Sequence, residues 1–296
     1  MKSGIVILDK GDGLTSQAAV NRIKRIFGVD KAGHTGTLDP MATGVLPILI
    51  GRGVKASEYM LSSDKHYIAT LRLGLTTDTE DITGETLTTS DEIPSADKVI
   101  STAEGFVGPY MQTPPMYSAL KVGGKKLCDL ARSGVSIDRQ PREVQIYSLS
   151  ATEIDDRRFT LDVRCSKGTY IRTLCADIGE RLGCGGVMET LRRGSAAGFT
   201  LADAHTLEEL ENMSEDERES CNFPVEHIFR QLPEVKLPPF FARLAHSGLE
   251  IYLKKINLDV PTGQRVRLSD ADGFFALGEV REYEDGRAIK PIKQFN

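Results

Sequence analysis

Apolar residues recur along this chain with period two in some segments and with helical spacing in others, which predicts an α+β fold. Strand-like runs are expected at residues 4–8, 44–50, 66–73 and 159–165. After the first run, helical spacing predicts a helix that Thr15 or Ser16 caps and Gly28 ends. A later helix is expected to follow a glycine turn, with Arg172 in its first turn and its end near Gly183.

Three features interrupt this pattern before residue 110. Pro47 lies inside a predicted strand, and because proline has no N–H to donate, it predicts an edge strand or a bulge. Residues 74–85, GLTTDTEDITGE, have the composition of a turn. Ser95 is expected to cap a short helix that continues to Ala103.

A long, poorly periodic excursion follows at about residues 110–142. It is rich in proline and glycine, and it interleaves Tyr110 and Tyr117 with basic residues. The basic residues are Lys121, Lys125, Lys126, Arg132, Arg139 and Arg142. Cations suit phosphates and rings stack on bases, so this composition fits a looped nucleic acid, although it fits an ordinary surface loop equally well.

The last part of the chain changes character. Residues 237–296 contain short strand-like runs separated by Asp-Gly turns, which is typical of a small β-domain. We place the boundary around 232–239, and we divide the chain into a first domain at 1–234 and a second at 235–296.

Charge and composition narrow the classes of function. The formal net charge is −5, but residues 201–234 alone carry −8, so the remainder is mildly basic at +3. No apolar window is long enough to span a membrane. The five cysteines form no C-x-x-C pair, which favours free thiols in a reducing cytoplasm. The segment KGDGLTS lacks the third glycine of a dinucleotide fingerprint, and the histidines form no metal motif, so we expect neither a nucleotide cofactor nor a metal.

One carboxylate is the best candidate for chemistry. Asp39 lies in KAGHTGTLDPMATGVLPILIG, residues 31–51, between Leu38 and Pro40. A turn aspartate that satisfies backbone amides is the ordinary explanation. However, Pro40 keeps Asp39 out of the helical region, and Arg172 is a distant residue that could pair with a buried acid.

Six ordered motifs between residues 7 and 199 resemble the TruB family of bacterial tRNA pseudouridine-55 synthases. GHTGTLDPMATGVLPILIG is similar to the catalytic motif, and ILDKGDGLTS to the first motif. The others are DKHYIATLRLGLTTDTEDITGE, QTPPMYSALKVGGKKL, CSKGTYIRTLCADIG and METLRRGSAAGF. Two departures are Gly11, where the family usually has proline, and Cys128, where it usually has tyrosine.

The resemblance implies a fold and a reaction. The fold would be a pseudouridine-synthase fold, a mixed and mainly antiparallel sheet flanked by helices, followed by a small PUA-like RNA-binding β-domain. The reaction would flip the T-loop uridine at position 55 of tRNA, cleave its C–N glycosidic bond and rejoin the base through C5. It needs no redox change and no net hydrolysis, so no cofactor and no metal are implied. The alternatives are an rRNA pseudouridine synthase and a non-catalytic tRNA-binding or tRNA-folding protein.

The resemblance also assigns residues. Asp39 would be the nucleophile or base, Arg172 its counter-charge, and Tyr67 the ring that stacks on the base and assists removal of the C5 proton. His34 would contact the T-loop, Leu191 would pack against the base, and Lys10 would support Tyr67 and the floor of the pocket. The RNA clamp would consist of Lys121, Lys125, Lys126 and Arg132. The implied partner is the T-arm of tRNA, with no membrane and no obligate protein partner, so we expect a cytoplasmic monomer.

Overall fold

The computed structural model describes residues 3–118, 120–135 and 137–295, with the backbone alone at 121, 126 and 132. The strands are, in chain order, β1 (Gly4–Lys10), β2 (Ala32–His34), β3 (Thr43–Ile50), β4 (Lys65–Leu73), β5 (Leu75–Thr77), β6 (Thr86–Thr89), β7 (Gly108–Gln112), β8 (Lys121–Val122), β9 (Lys125–Lys126), β10 (Arg142–Glu153), β11 (Arg158–Cys165), β12 (Gly186–Ala196), β13 (Phe199–Thr200), β14 (Asn222–Phe223), β15 (Glu234–Lys236), β16 (Ile251–Tyr252), β17 (Arg265–Asp270), β18 (Gly273–Tyr283) and β19 (Gly286–Gln294). The α-helices are α1 (Ser16–Phe27), α2 (Ser57–Leu61), α3 (Ala96–Glu104), α4 (Leu127–Arg132), α5 (Ile171–Leu182), α6 (Leu207–Asn212), α7 (Glu215–Ser220) and α8 (Pro239–His246).

A large sheet organises the first part of the chain. Its strand order is β14-β1-β3-β12-β4-β11-β10-β7, with β2 beside β3 and β13 beside β12. Within the described residues, its neighbouring strands are antiparallel except for β3 and β12. Val20 of α1, Val99 of α3 and Ile178 of α5 enter one core with the sheet. The predicted mixed, mainly antiparallel sheet flanked by helices is therefore confirmed.

The first helix begins and ends where the sequence predicts. The Thr15 hydroxyl accepts a hydrogen bond from the Ala18 amide at 3.1 Å, which satisfies one of the unpaired amides of the first turn. At the other end, Gly28 adopts a left-handed conformation with φ 58°, which closes the helix. Val20 and Ile23 lie on its buried face. The helix after the glycine turn is also confirmed, because α5 carries Arg172 in its first turn and ends before Gly183.

The prediction for Pro47 is wrong. The strand that contains it, β3, lies between β1 and β12 in the interior of the sheet, and its pairing with β1 has no bulge. On the side of β3 away from β1, β2 pairs only with residues 48–50 and β12 only with residues 43–44. Pro47 lies between these two pairings, so its missing N–H leaves no hydrogen bond unmade there.

The segment at 74–85 differs in part from its prediction as a turn. It contains β5, which pairs with β6 in a hairpin where the Thr76 and Thr88 hydroxyls lie 2.7 Å apart. The sequence hides this hairpin because all four residues of β6 are exposed, so no apolar alternation marks it. The expected short helix is confirmed as α3 directly after Ser95, but the Ser95 side chain makes no capping hydrogen bond.

The end of the chain forms the expected β-domain. Its sheet has the order β15-β17-β18-β19-β16, and Val266, Phe275 and Ile289 lie in its core. Strands β18 and β19 are longer than the short strands that the sequence predicted. The pattern did not predict α8. The predicted domain boundary between residues 234 and 235 falls inside strand β15. The division at this point stays a prediction.

The two sheets share an apolar cluster. Leu277 and Phe295 from the second sheet are buried together with Ile5, Phe199 and Phe229 from the first part of the chain. The rings of Phe229 and Phe295 lie 5.5 Å apart at 41°. The second sheet is therefore packed against the first part of the chain through a common core.

Candidate active site

The loop that carries Asp39 connects β2 to β3 and is held from below by a buried serine. The Ser16 hydroxyl donates to the Leu38 carbonyl at 2.8 Å and accepts from the Leu38 amide at 2.9 Å. On the other side of the aspartate, the Gly13 amide donates to the Pro40 carbonyl at 2.9 Å. The residue before Asp39 and the residue after it are thus both fixed, so the direction of its side chain is set by the scaffold.

Lys10 lies beneath the same loop. It is the last residue of β1, it is fully buried, and it donates to the carbonyls of Gly11, Leu14 and Pro40 at 2.7–3.0 Å. Burial lowers the pKa of its ammonium, while Asp12 and Asp39 act in the opposite direction. These contacts place Lys10 under the loop, away from any surface that a substrate reaches in this conformation.

Asp39 pairs with Arg172, the first-turn arginine of α5. The Nε–Oδ2 distance is 3.0 Å, and Nη2 lies 3.5 Å from Oδ1. Arg172 is buried, with 6% of its side chain exposed, whereas 33% of the Asp39 side chain is exposed. The carboxylate is therefore the member of the pair that a ligand can reach.

Arg172 is oriented by three further acceptors. Its Nη1 lies 3.6 Å from Asp81 Oδ2 and donates to the Thr79 carbonyl at 3.1 Å, and its Nη2 donates to the Tyr117 carbonyl at 2.7 Å. Asp81 is itself held by the hydroxyls of Thr79 and Thr83. A guanidinium fixed on both sides presents its Nε to Asp39 in one direction.

The pKa of Asp39 is raised above its ordinary value. Burial is the largest cause, the charge of Arg172 acts against it, and the nearby Asp81 adds to it. The ion pair therefore offsets the cost of burial only in part. The result is a carboxylate that is less strongly solvated than a surface aspartate.

Tyr67 and Leu191 form one wall beside this pair. They lie on the neighbouring strands β4 and β12, and only 7% and 8% of their surfaces are exposed. Burial raises the pKa of Tyr67, and the charge of Arg193 acts in the opposite direction. Both side chains face the same cavity as Asp39 and Arg172.

The cavity has a volume of about 240 Å³. Its wall includes Leu38, Asp39, Tyr67, Tyr117, Tyr170 and Leu191. A site of this size, with aromatic and aliphatic walls around one ion pair, suits a single flat ring and is smaller than drug-sized pockets of about 300–1,000 Å³.

The other predicted site residues lie elsewhere. His34 is partly exposed on β2 and is absent from the described wall of the cavity. Lys125 is exposed on β9. The side chains of Lys121, Lys126 and Arg132 lie outside the described part of the structure. Tyr110 is half-buried and donates to Asp177 at 2.6 Å, so this ring is engaged with the core and not with a binding surface.

Sequence reasoning missed several residues of the cavity. Asp81 was counted as turn material, although it contacts Arg172. Arg193 follows Leu191 by two residues on a strand, and strand periodicity would have placed both on one face. Lys65 and Tyr170 also contribute to the wall. Tyr117 was predicted only as an aromatic residue of the basic excursion, and the contact that its backbone carbonyl makes with Arg172 has no sequence signal.

The described residues contain no group of three or more His, Cys, Asp or Glu side chains arranged to hold a metal ion. The five cysteines are free. In the described part of the chain, no helix is sufficiently long and apolar to cross a membrane.

Comparisons with known proteins show which family the chain resembles. Residues 24–171 match the model of the TruB family pseudouridylate synthase N-terminal domain, and residues 172–234 match the tRNA pseudouridylate synthase B C-terminal domain. The chain is 42% identical to tRNA pseudouridine synthase B of Alkaliphilus oremlandii over 296 residues, which covers 98% of each protein. It is 40% identical to the protein of that name from Neisseria meningitidis serogroup B, over 95% of this chain and 91% of that protein.

Solved structures agree as well. A chain in the crystal structure of a Cbf5-Nop10-Gar1 complex superposes with a TM-score of 0.73 at 27% identity, covering 99% of this chain and 85% of that one. The expected pseudouridine-synthase fold is thereby confirmed. On these matches, the chain belongs to the TruB family of pseudouridylate synthases.

Proposed function

We propose that this chain isomerises the T-loop uridine at position 55 of tRNA to pseudouridine, with Asp39 acting at the ribose as nucleophile or base. The observation that carries the proposal is the pairing of Asp39 with a buried, fully oriented Arg172 at a cavity walled by Tyr67 and Leu191. Family membership supports the tRNA substrate, and the resemblance of the motifs is our reason for proposing the T-loop position.

One carboxylate is sufficient for this reaction. Hydrolysis of a glycosidic bond usually needs two carboxylates and a water molecule, whereas isomerisation must keep water away from the cleaved sugar. The apolar wall at Leu38 and Leu191 supports such exclusion. Arg172 keeps Asp39 in place and favours its ionised form, which is the form that attacks the sugar or removes a ribose proton.

The base must leave the RNA stack to reach this cavity. Flipping costs a few kcal/mol, which stacking and hydrogen bonding in the pocket offset. Tyr67 would stack on the flipped base and Leu191 would pack against it, because both side chains border the cavity beside Asp39. Lys10 would contribute indirectly, by holding the loop through the Pro40 carbonyl.

The remaining surfaces would bind the rest of the T-arm. His34 would contact the T-loop next to the cavity, and the basic excursion with Lys121, Lys125, Lys126 and Arg132 would clamp the RNA. The PUA-like domain at 235–296 would bind a more distant part of the tRNA, and the domain at 1–234 would carry out the reaction. We further propose that the enzyme acts as a cytoplasmic monomer.

A single assay separates this proposal from its alternatives. A T-arm stem-loop carrying C5-tritiated uridine at the target position is incubated with the protein, and tritium release and free uracil are followed together. Tritium release without free uracil supports the isomerase. Binding without tritium release would indicate a non-catalytic tRNA-binding or tRNA-folding protein, and turnover of an rRNA fragment alone would indicate an rRNA synthase. A stem-loop labelled only at another uridine serves as the control.

A further inference from the structure

Arg193 is a buried cation to which the proposed reaction gives no role. It follows Leu191 by two residues on β12, and none of its surface is exposed. Its Nε donates to the Val45 carbonyl at 2.7 Å and its Nη2 to the Gly36 carbonyl at 3.1 Å. Among the described residues, no hydrogen-bond acceptor is directed at its Nη1. Nη1 is therefore the nitrogen of this guanidinium that can bind a further group.

Arg172 in the site and Arg192 outside the cavity are both neutralised by carboxylates. Arg172 pairs with Asp39, and Arg192, the neighbour of Arg193 on the same strand, pairs with Asp9 at 2.8 Å. Within the described residues, no carboxylate forms an ion pair with Arg193. A buried and uncompensated charge is costly, so a scaffold role alone is a poor reason for an arginine at this position.

Tyr67 is the group that faces this cation. In the antiparallel pairing of β4 with β12, Tyr67 lies directly opposite Arg193, and both side chains border the cavity. Tyr67 is 7% exposed and Arg193 is fully buried, so the guanidinium charge acts on the phenol with little screening by water. The other titratable groups near the phenol are Cys165 from β11, Asp39 from the catalytic loop and Lys65, which lies two residues before Tyr67 on β4 and borders the same cavity.

The charge of Arg193 has a measurable consequence at Tyr67. Burial raises the pKa of the phenol above its ordinary value of about 10, and Arg193 is the strongest influence in the opposite direction. Burial also raises the pKa of Cys165, to about 11, so this neighbour stays neutral near physiological pH. Removal of the guanidinium charge should therefore act on Tyr67, and also on Lys65, whose pKa Arg193 helps to lower.

We infer that Arg193 is a positioning residue for Tyr67, which holds the phenol oxygen against the flipped base and stabilises its phenolate when Tyr67 removes the proton from C5. This inference rests on the proposed isomerisation. Tyr67 first loses its proton to solvent, and the phenolate then takes the C5 proton while the C–H electron pair restores the ring double bond. N1 takes up one proton from solvent, so the protons balance and Tyr67 returns to its neutral form.

The direct test is a titration of residue 67. A fluorinated tyrosine placed at this position is a stronger acid, so it ionises within a pH range that the folded protein tolerates. Its phenolate band is readable by absorbance because the chain contains eight tyrosines and no tryptophan. The titration is compared in the Arg193 parent, in Arg193→Gln and in Arg193→Met. Arg192→Gln is the matched control, since it removes an adjacent arginine that pairs with Asp9.

The expected result is a pKa at residue 67 that rises by about one unit or more in the neutral variants, and this equals a tenfold change in phenolate at a given pH. Arg193→Lys, which keeps the charge, should move it less, and Arg192→Gln should leave it unchanged. With natural Tyr67, the neutral variants should release tritium roughly tenfold more slowly or worse, and the fluorinated tyrosine should restore part of this loss.

Several results would overturn the inference. An unchanged titration in the neutral variants would show that Tyr67 does not experience the charge. An equal loss of turnover with tyrosine and with its fluorinated analogue would assign Arg193 to the scaffold, as would failure of both neutral variants to fold. The titration needs no turnover, so it remains informative even if Asp39→Asn proves active and the proposed isomerisation fails.

Discussion

The loop that carries Asp39 and the basic excursion illustrate two ways of building a site. The first is fixed by buried side chains, because Ser16 and Lys10 bind the carbonyls of Leu38 and Pro40. The second extends between β7 and β10 and consists of two-residue strands and one short helix, with an exposed Lys125 near its turn. In the proposed function Asp39 acts at the sugar, which needs exact placement, whereas the excursion would contact phosphates, which tolerate adjustment.

The two regions are nevertheless linked. The Arg172 that pairs with Asp39 also donates to the carbonyl of Tyr117 at the start of the excursion, at 2.7 Å. Tyr117 and Ser118 border the cavity as well. Movement of the excursion on RNA binding would therefore be transmitted to the catalytic pair through one hydrogen bond.

The largest expected effect is that of Asp39→Asn. The amide is close in shape but cannot act as an anion, so turnover should fall below detection while tRNA binding persists. Because Arg172 keeps Asp81 and two carbonyls, the free energy of unfolding should change by less than the roughly 3–5 kcal/mol of a broken buried pair. Single-turnover tritium release, a binding isotherm and a denaturant titration measure the three quantities. Normal turnover in a pure preparation would contradict the assignment.

Arg172→Lys should have the next largest effect. An ammonium cannot contact Asp39 and the carbonyls of Thr79 and Tyr117 at the same time, so we expect turnover to fall roughly a hundred- to a thousandfold. The matched control is Arg181→Lys on the same helix, where the arginine lies over the Phe106 ring. If the two variants lost activity equally, the effect would belong to the helix and not to the pair.

The shared apolar cluster predicts a change in stability. Phe295→Ala should lower the free energy of unfolding by about 3–5 kcal/mol, because the ring is buried between the two sheets. Turnover of a minimal stem-loop by the fraction that stays folded should be unchanged. Phe240→Ala is the control, since that ring is 57% exposed. Equal melting temperatures for the two variants would mean that the second sheet does not support the first.

The pKa of Asp39 predicts the acid limb of the pH–rate profile. Burial raises this pKa, so turnover should be lost at a higher pH than an ordinary aspartate would give. Asp81 contributes to the increase, and Asp81→Asn should therefore move the limb to lower pH. The free energy of unfolding should depend on pH in the opposite sense to that of an aspartate whose pKa is lowered by folding. Wild type should lose free energy of unfolding relative to Asp39→Asn as pH rises through this pKa. An acid limb that moved upwards in Asp81→Asn would contradict the assignment.

The smallest expected effect is that of Lys125→Glu. This exposed lysine would contact one phosphate, so its loss should weaken tRNA binding several-fold and reduce the slope of affinity against salt by roughly 0.7–0.9. Turnover at saturating RNA should be unaffected. Lys98→Glu on α3 is the control, because it makes the same change of charge at an exposed site outside the excursion. An unchanged slope would remove Lys125 from the RNA interface.

The sequence predicted the elements that carry a strong periodic signal. Helix α1 was predicted with both ends because Thr15 and Gly28 are direct physical signals of a cap. The β5–β6 hairpin and α8 were not predicted, since exposed threonines and a mixed apolar run carry no clear period. Pro47 was misplaced because the gap in its ladder depends on where two other strands stop, which is a tertiary fact.

The sequence predicted the pair at the centre of the site, but it predicted fewer of the residues around that pair. Asp39 and Arg172 stand in motifs, and the structure joins them at 3.0 Å. The third partner, Asp81, depends on how a turn folds back on α5, and sequence periodicity says nothing about that. The expected contact from Lys10 to Tyr67 was not found, because the lysine is occupied by three carbonyls and Arg193 takes its place beside the tyrosine.

The central claim is that the cavity at Asp39 isomerises one uridine of the T-loop. The most direct measurement maps pseudouridine in an unmodified full-length tRNA transcript after treatment with wild type and with Asp39→Asn at equal occupancy of the RNA. We predict stoichiometric pseudouridine at position 55 with wild type and none with the variant. Pseudouridine at another position, or equal modification by both proteins, would contradict the account.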